Sequence, residues 1–241
     1  MYDYHDSRSN IINILKTETK VIKSEGIPDS DNAFTFTNAY LTWAGAIFID
    51  IKDSSELFDT KDERLARLMR AFTSEIITIF QDFRNYRQIG IRGDCVYAIY
   101  DTQYKSDLVE IFNIAVLTNT FMKMFNEIIT DYGYAPITAG IGLGCDEELI
   151  IKAGRSGTGI NDKIWIGKAV VDASNLSSTA NRDDIKPIAM SEVFYNNIIA
   201  DLKKENPKYE NWIRYNSYED LYECNIVRSE FNEWIENGMK G

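Results

Sequence analysis

Histidine is nearly missing from this chain: 241 residues contain one, His5, beside the amino terminus. A Ser-His-Asp or Cys-His catalytic arrangement, or a histidine-rich metal centre, is thereby nearly excluded. Cysteine is scarce as well. Cys95, Cys145 and Cys224 are an odd, scattered set without CxxC spacing, and they read as reduced, mostly structural thiols. Positive charge is in deficit. There are 26 Lys and Arg against 37 Asp and Glu, for a formal net charge of -11. General nucleic-acid binding calls for a basic footprint and is not expected. An anionic substrate remains compatible, because bound divalent metal inverts the local field. No uninterrupted apolar run approaches membrane-spanning length, and the first residues lack a signal-peptide pattern. The expectation is a cytosolic protein with no membrane association. No internal repeat or low-complexity segment breaks the chain.

What is present suffices for one core of ordinary size, since 44% of the residues are hydrophobic. Met1 to Ser9 is polar and expected to fray. Ile11, Ile12, Ile14, Leu15 and Val21 predict an amphipathic helix ending near Gly26-Ile27-Pro28. Asp29 to Asn38 reads as a polar loop. Ala44 to Ile49 is short, β-branched and aromatic, which predicts a buried strand. Asp59 to Asp82 is the clearest helix, with Leu65, Leu68, Met69, Phe72, Ile76, Ile77 and Phe80 at helical spacing. A hairpin follows, turning at Gly93-Asp94. A second long helix begins at Ser106, a plausible N-cap. Ile137 to Gly144 predicts a strand and Glu148 to Ala153 its hairpin partner. Gly154-Arg155-Ser156-Gly157-Thr158-Gly159 lacks the Gly-Lys-Ser/Thr ending of a P-loop and reads as a plain loop. Lys163 to Val171 runs into a helix through Leu176, Ser191 caps a helix to Lys204, Leu221 to Val227 is a strand, and Ser229 to Asn237 a last helix. This order suits an α+β sandwich with helices over a largely antiparallel sheet. The expected divisions are a helical extension over 1–38, a domain over 39–227, and a terminal helix over 228–241.

Two carboxylates stand out. Asp50 ends the buried strand Ala44–Ile49 and opens into Ile51-Lys52-Asp53-Ser54-Ser55. Asp94 sits in the hairpin turn of Ile89-Gly90-Ile91-Arg92-Gly93-Asp94-Cys95. A strand that delivers an Asp to a loop presents a metal ligand or an acid/base. Either residue alone is equally at home as a loop cap or a turn former. Together, far apart in sequence and each at a strand end, they can converge on one pair of divalent cations.

With Gly140-Ile141-Gly142-Leu143-Gly144 and Ile164-Trp165-Ile166-Gly167-Lys168-Ala169-Val170, these stretches resemble the class III nucleotidyl cyclase homology domain over Tyr40 to Leu176. Within it, the chain looks like the bacterial pyrimidine cyclases of anti-phage Pycsar signalling. The resemblance implies two divalent cations, Mn2+ or Mg2+, bridged by Asp50 and Asp94 with the carbonyl of Ile51. It implies in-line attack of a ribose 3′-hydroxyl on the α-phosphorus, giving a 3′,5′-cyclic nucleotide and pyrophosphate. Backbone amides around Ser54 and Ser55 would meet the phosphates, while Asp53 would sit awkwardly beside them. Tyr40, Trp43 and Phe48 would narrow or stack in the base pocket, unless they are ordinary core.

Departures from the family pattern matter as much. Purine cyclases carry Asn and, four residues on, Arg in the helix after the Gly167 segment. Aligning on Gly167 puts Val171 and Asn175 there; sliding the frame puts Asn175 and Thr179 there. Asn175 is the catalytic candidate, but no frame supplies the Arg, and Arg182 lies beyond both. Arg92, Lys168 and Arg214 are the candidate substitutes. The purine base readers are replaced by Gly90 and Ile164, so a pyrimidine triphosphate is expected, UTP before CTP. The family's site lies between two domains, which implies a head-to-tail homodimer. A separate effector protein would read the cyclic product. The competing expectations are a catalytically weak or inactive cyclase-like domain that binds nucleotide or a partner, and a cytidylate cyclase.

Overall fold

The computed structural model describes residues 1–57, 59 and 61–240, leaving out the side chains of Ser55 and Glu56. In chain order the elements are α1 (Tyr4–Lys16), β1 (Lys20–Lys23), β2 (Asn38–Ile51), α2 (Ser54–Leu57), α3 (Glu63–Asp82), β3 (Tyr86–Arg92), β4 (Cys95–Asp101), α4 (Lys105–Asp131), β5 (Ala139–Gly154), β6 (Asn161–Ile166), α5 (Ala169–Thr179), β7 (Ile188–Met190), α6 (Glu192–Glu205), α7 (Tyr209–Trp212), β8 (Arg214–Asn216), β9 (Leu221–Cys224) and α8 (Ser229–Glu236). The class is α+β, as expected. One sheet runs β3-β4-β2-β5-β7-β9-β8, mostly antiparallel, with parallel pairing of β5 to β7 and of β1 to β2.

Alternation along β2 divides the molecule into two cores. Ile47, Ile49 and Ile51 face the larger one, with Phe72, Ile76 and Phe80 of α3, Ile111 and Phe112 of α4, and Phe194 and Ile198 of α6. Ala44, Ala46 and Phe48 face the other, with Ile27, Phe34, Ile99 and, from α5, Ala169 and Ala173. Asp50, two residues beyond Phe48, is thus carried on the α5 face. The helix α4 is long and apolar enough to cross a membrane by composition, but 72% of that window is buried inside the fold. Its apolar surface is core.

Several expectations fail locally, each for an identifiable reason. The first helix starts at Tyr4, where Asp3 accepts from the amides of His5 and Asp6, so the first nine residues are not all frayed. It stops at Lys16, and Lys20–Lys23 instead joins the sheet parallel to β2. The helix expected from Asp59 starts at Glu63, because Asp62 caps it by accepting from Leu65 N at 2.8 Å. The cap of α4 is Tyr104 rather than Ser106, with Asp107 accepting from the Tyr104 amide. Ile137–Gly144 and Glu148–Ala153 are not a hairpin. They form one 16-residue strand that pairs with β2 from Ala39 to Ile51. The hairpin partner of its second half is β6, and Arg155 to Ile160 is the loop between them, with Gly154 the last residue of the strand.

Candidate active site

The apolar run of β2 delivers Phe48 and Asp50 to the α5 face. The tight Gly93-Asp94 turn between β3 and β4 brings Asp94 back beside them, with Gly93 at φ 64, a left-handed value that suits glycine. The helix α5 closes the other side. Gly140, Gly142 and Gly144 lie along β5 on this face, where a Cβ at Gly142 would stand 2.0 Å from the Ala173 carbonyl oxygen. Bare backbone there lets α5 lie directly on the sheet. Between these elements is a cavity of about 510 Å³, within the usual range for a small-molecule site.

Of the residues expected at the site, Phe48, Asp50, Arg92 and Asn175 line this cavity, as does Ile164. Tyr40 does not. Ten residues before Asp50, it is roughly 30 Å away along an extended strand. Its ring packs edge-on against Phe34 at 5.1 Å, and its hydroxyl donates to the Ala33 carbonyl at 3.4 Å. Trp43 faces the opposite side of β2. Lys168 is held at the start of α5, its amide donating to Asp146 Oδ2 at 3.0 Å. Arg214 lines a separate, larger cleft of about 770 Å³ with Lys186 and Arg228. That cleft contains neither Asp50 nor any residue of the glycine strand. Ser54 begins α2 and is half-buried outside the cavity; the side chain of Ser55 lies outside the described residues. Asp53 is exposed, with φ 55, turning the chain away after β2.

A cation that no helix alignment reaches, Arg182, lies beside Asp50. Its guanidinium donates to Asp50 Oδ2 at 3.0 Å and to the carbonyls of Ser177 and Ala180 at the end of α5. Asn181, Asp183 and Asp184 around it all have positive φ. This left-handed turn, anchored by Asn181 Nδ2 on the Ala139 carbonyl at 3.0 Å, folds Arg182 back onto the site.

Charge at the site is finely balanced. Burial raises the Asp50 carboxyl above its ordinary value, and the neighbouring Asp94 raises it further; Arg182 pulls the other way. Two carboxylates that feel each other, at strand ends, are hard oxygen donors suited to divalent cations. Burial and both carboxylates push the thiol of nearby Cys95 up to about 12. Among the described residues, no three His, Cys, Asp or Glu side chains converge. A cation at Asp50 and Asp94 would complete its shell with carbonyl, phosphate and water oxygens.

Three further side chains form the other end of the cavity. Tyr97 stacks on Phe48 at 4.9 Å and 12°. Trp165 Nε1 donates to Gln88 Oε1 at 2.7 Å, and Gln88 Nε2 donates to the Tyr97 hydroxyl at 3.3 Å. The cavity thus has a charged end at Asp50 and an aromatic end at Phe48, Tyr97 and Trp165.

Glu148 supports the site from beneath. Fully buried, it accepts from the Ala169 amide at 2.7 Å at the start of α5, and its Oε2 has no partner. Burial raises its carboxyl to about 7. Gly167 passes against it, where a Cβ would be 2.5 Å from Glu148 Oε1.

No family model matches the chain. Among curated proteins, it is 42% identical over 240 residues to the uridylate cyclase of Treponema porcinum, covering 99% of this chain and 82% of that one. It is 30% identical to the uridylate cyclase of Gulbenkiania mobilis, covering 98% and 96% of the two chains. Among solved structures, a class III adenylyl cyclase-like ATP-binding protein from Pseudomonas aeruginosa superposes with a TM-score of 0.69 at 15% identity, over 96% of this chain and 48% of that one. The adenylyl cyclase CyaB of P. aeruginosa gives 0.59 at 22% identity, over 68% and 83%. These structures share the fold.

Proposed function

The chain belongs to the uridylate cyclase family of class III nucleotidyl cyclases, and we propose that it converts UTP to 3′,5′-cyclic UMP and pyrophosphate, with CTP the poorer substrate. The observation that carries this is the two-ended cavity: Asp50, flanked by Asp94 and hydrogen-bonded by Arg182, at one end, and stacked aromatics at the other.

A single-ring base occupies the aromatic end, bounded by Phe48, Tyr97 and Trp165. The triphosphate runs toward Asp50, where Arg182 and Arg92 are its donors, joined by Asn175 of the partner subunit. Arg182 exchanges Asp50 for the phosphates, which frees the Asp50 carboxylate. Asp50, Asp94 and the Ile51 carbonyl would hold divalent cations, which would supply Lewis acidity toward the ribose 3′-hydroxyl and neutralise charge on the leaving group. The 3′-hydroxyl gives its proton to solvent water and its oxygen attacks the α-phosphorus in line as pyrophosphate departs; positioning and charge stabilisation dominate the rate.

A second copy covers the open mouth of the cavity, forming a homodimer. Support comes from the rim, where Ile164 and Val171 are each about half exposed. The product serves as a second messenger for a separate effector in anti-phage defence, a reading supported by resemblance to that class of cyclases. A nucleotide-binding protein without turnover is the second reading, favoured by Arg182 already neutralising Asp50.

Incubation of the purified chain with UTP and Mn2+ tests the proposal. Cyclic UMP and pyrophosphate in equal amounts, lost on adding EDTA, are expected. UTP recovered intact would favour the second reading.

A further inference from the structure

We propose that the Tyr97 hydroxyl tells uracil from cytosine, fixed as a hydrogen-bond donor by a chain that runs from Trp165 through Gln88. The inference rests on the cyclase reading of the cavity and adds to it the group that chooses between two pyrimidines.

The direction of the chain follows from chemistry. An indole N–H can only donate. Trp165 donates to Gln88 Oε1 at 2.7 Å, so the amide oxygen faces Trp165 and the amide NH2 faces the other way. That NH2 donates to Tyr97 Oη at 3.3 Å. A phenol has one proton and two lone pairs. With one lone pair taken by Gln88, the Tyr97 proton is directed elsewhere, and among the described residues no protein group accepts it. The ring itself has little freedom. It stacks on Phe48 at 4.9 Å, and its phenol lies over Gly90, where a Cβ would come within 2.5 Å of Tyr97 Oη. Gln88, Tyr97 and Trp165 all line the cavity.

Uracil and cytosine differ at one exocyclic position, a carbonyl in the first and an amine in the second. A uracil carbonyl accepts the Tyr97 proton and leaves every group in the chain satisfied. A cytosine amine can use only the remaining Tyr97 lone pair, which strands the phenol proton in a semi-enclosed site. An unsatisfied donor of this kind corresponds to a preference of about tenfold or more.

The test measures UTP and CTP binding by equilibrium dialysis, together with cyclisation of an equimolar mixture, for the full chain and two near-isosteric variants. Wild type is expected to favour UTP. Tyr97→Phe should lower the UTP:CTP ratio about tenfold, chiefly by weakening UTP. Gln88→Glu is the sharper variant. A carboxylate there accepts from both Trp165 and Tyr97, turns the phenol proton away from the base, and leaves lone pairs facing it. The ratio should then invert toward CTP. A Tyr97→Phe ratio equal to that of wild type, or a Gln88→Glu chain that still favours UTP as wild type does, would overturn the inference. Wild type that binds neither pyrimidine would overturn both this inference and the cyclase reading. Selective binding without cyclic product would sink the cyclase reading alone.

Discussion

Arg182 donates to Asp50 across the mouth of a loop that no helical alignment reaches. Removing it should therefore act in two opposite directions. In Arg182→Ala, Asp50 and Asp94 lose their counter-ion, so Mn2+ should bind several-fold tighter in titration calorimetry. Cyclisation should nonetheless fall about 100-fold, as when one charged transition-state donor is lost. Unchanged Mn2+ affinity would mean that Arg182 and the cations do not compete. Glu148 makes a second prediction at this scale. Its carboxyl is raised from 4.5 to about 7 in the folded protein. Between those values the folded chain holds a proton that the unfolded chain has released, so stability falls as pH rises through that window and levels off above it. The full loss is about 3 kcal/mol. Glu148→Gln should flatten the difference in urea-unfolding stability between pH 5 and pH 8 by about that amount; an equal slope in both proteins would contradict it. That Asp50 and Asp94 lie near each other was legible in the sequence, because Asp50 ends an apolar strand and Asp94 sits in a tight hairpin turn. Arg182 was not, because positive φ at Asn181, Asp183 and Asp184 folds it back and nothing in spacing announces that turn. Tyr40 misled because aromatic content near a strand says nothing about distance along it.

At the scale of elements, the alternating glycines of β5 do more than mark a strand. They remove three successive Cβ atoms from one face so that the backbone of α5, and with it Asn175, sits against the sheet. Gly142→Ala places a methyl 2.0 Å from a backbone oxygen, which a flexible side chain cannot relieve. It should cost about 3 kcal/mol by overpacking and cut cyclisation by displacing α5, measured as a lower urea midpoint. A midpoint like that of wild type would mean that α5 is not seated there. The helix α3 was readable from apolar spacing, because it buries one stripe. β5 was misread as two strands because its polar middle, Asp146-Glu147-Glu148, looks like a turn. Glu148 is instead buried under α5, and a carboxylate in a strand core leaves no apolar signal. The Gly90–Tyr97 pairing was available by counting outward from the Gly93-Asp94 turn, which pairs Arg92 with Cys95 and so reaches Tyr97 opposite Gly90.

For the whole molecule, the exposed apolar rim around the cavity predicts that two copies share their sites. Asp50→Ala and Asn175→Ala chains, each nearly inactive alone, should regain activity when mixed, since one composite site per heterodimer keeps both groups. Verified heterodimers without rescue would place Asp50 and Asn175 in the same working site, a geometry the single chain also permits. The central claim concerns chemistry and base together, and one reaction addresses both. The purified chain is given equimolar UTP, CTP, ATP and GTP with Mn2+, beside an Asp50→Ala control, and the products are resolved by mass spectrometry. The expected result is cyclic UMP as the main product, less cyclic CMP, little purine product, and none from the control. Cyclic AMP or cyclic GMP as the main product, or cyclic UMP undiminished in the control, would contradict it.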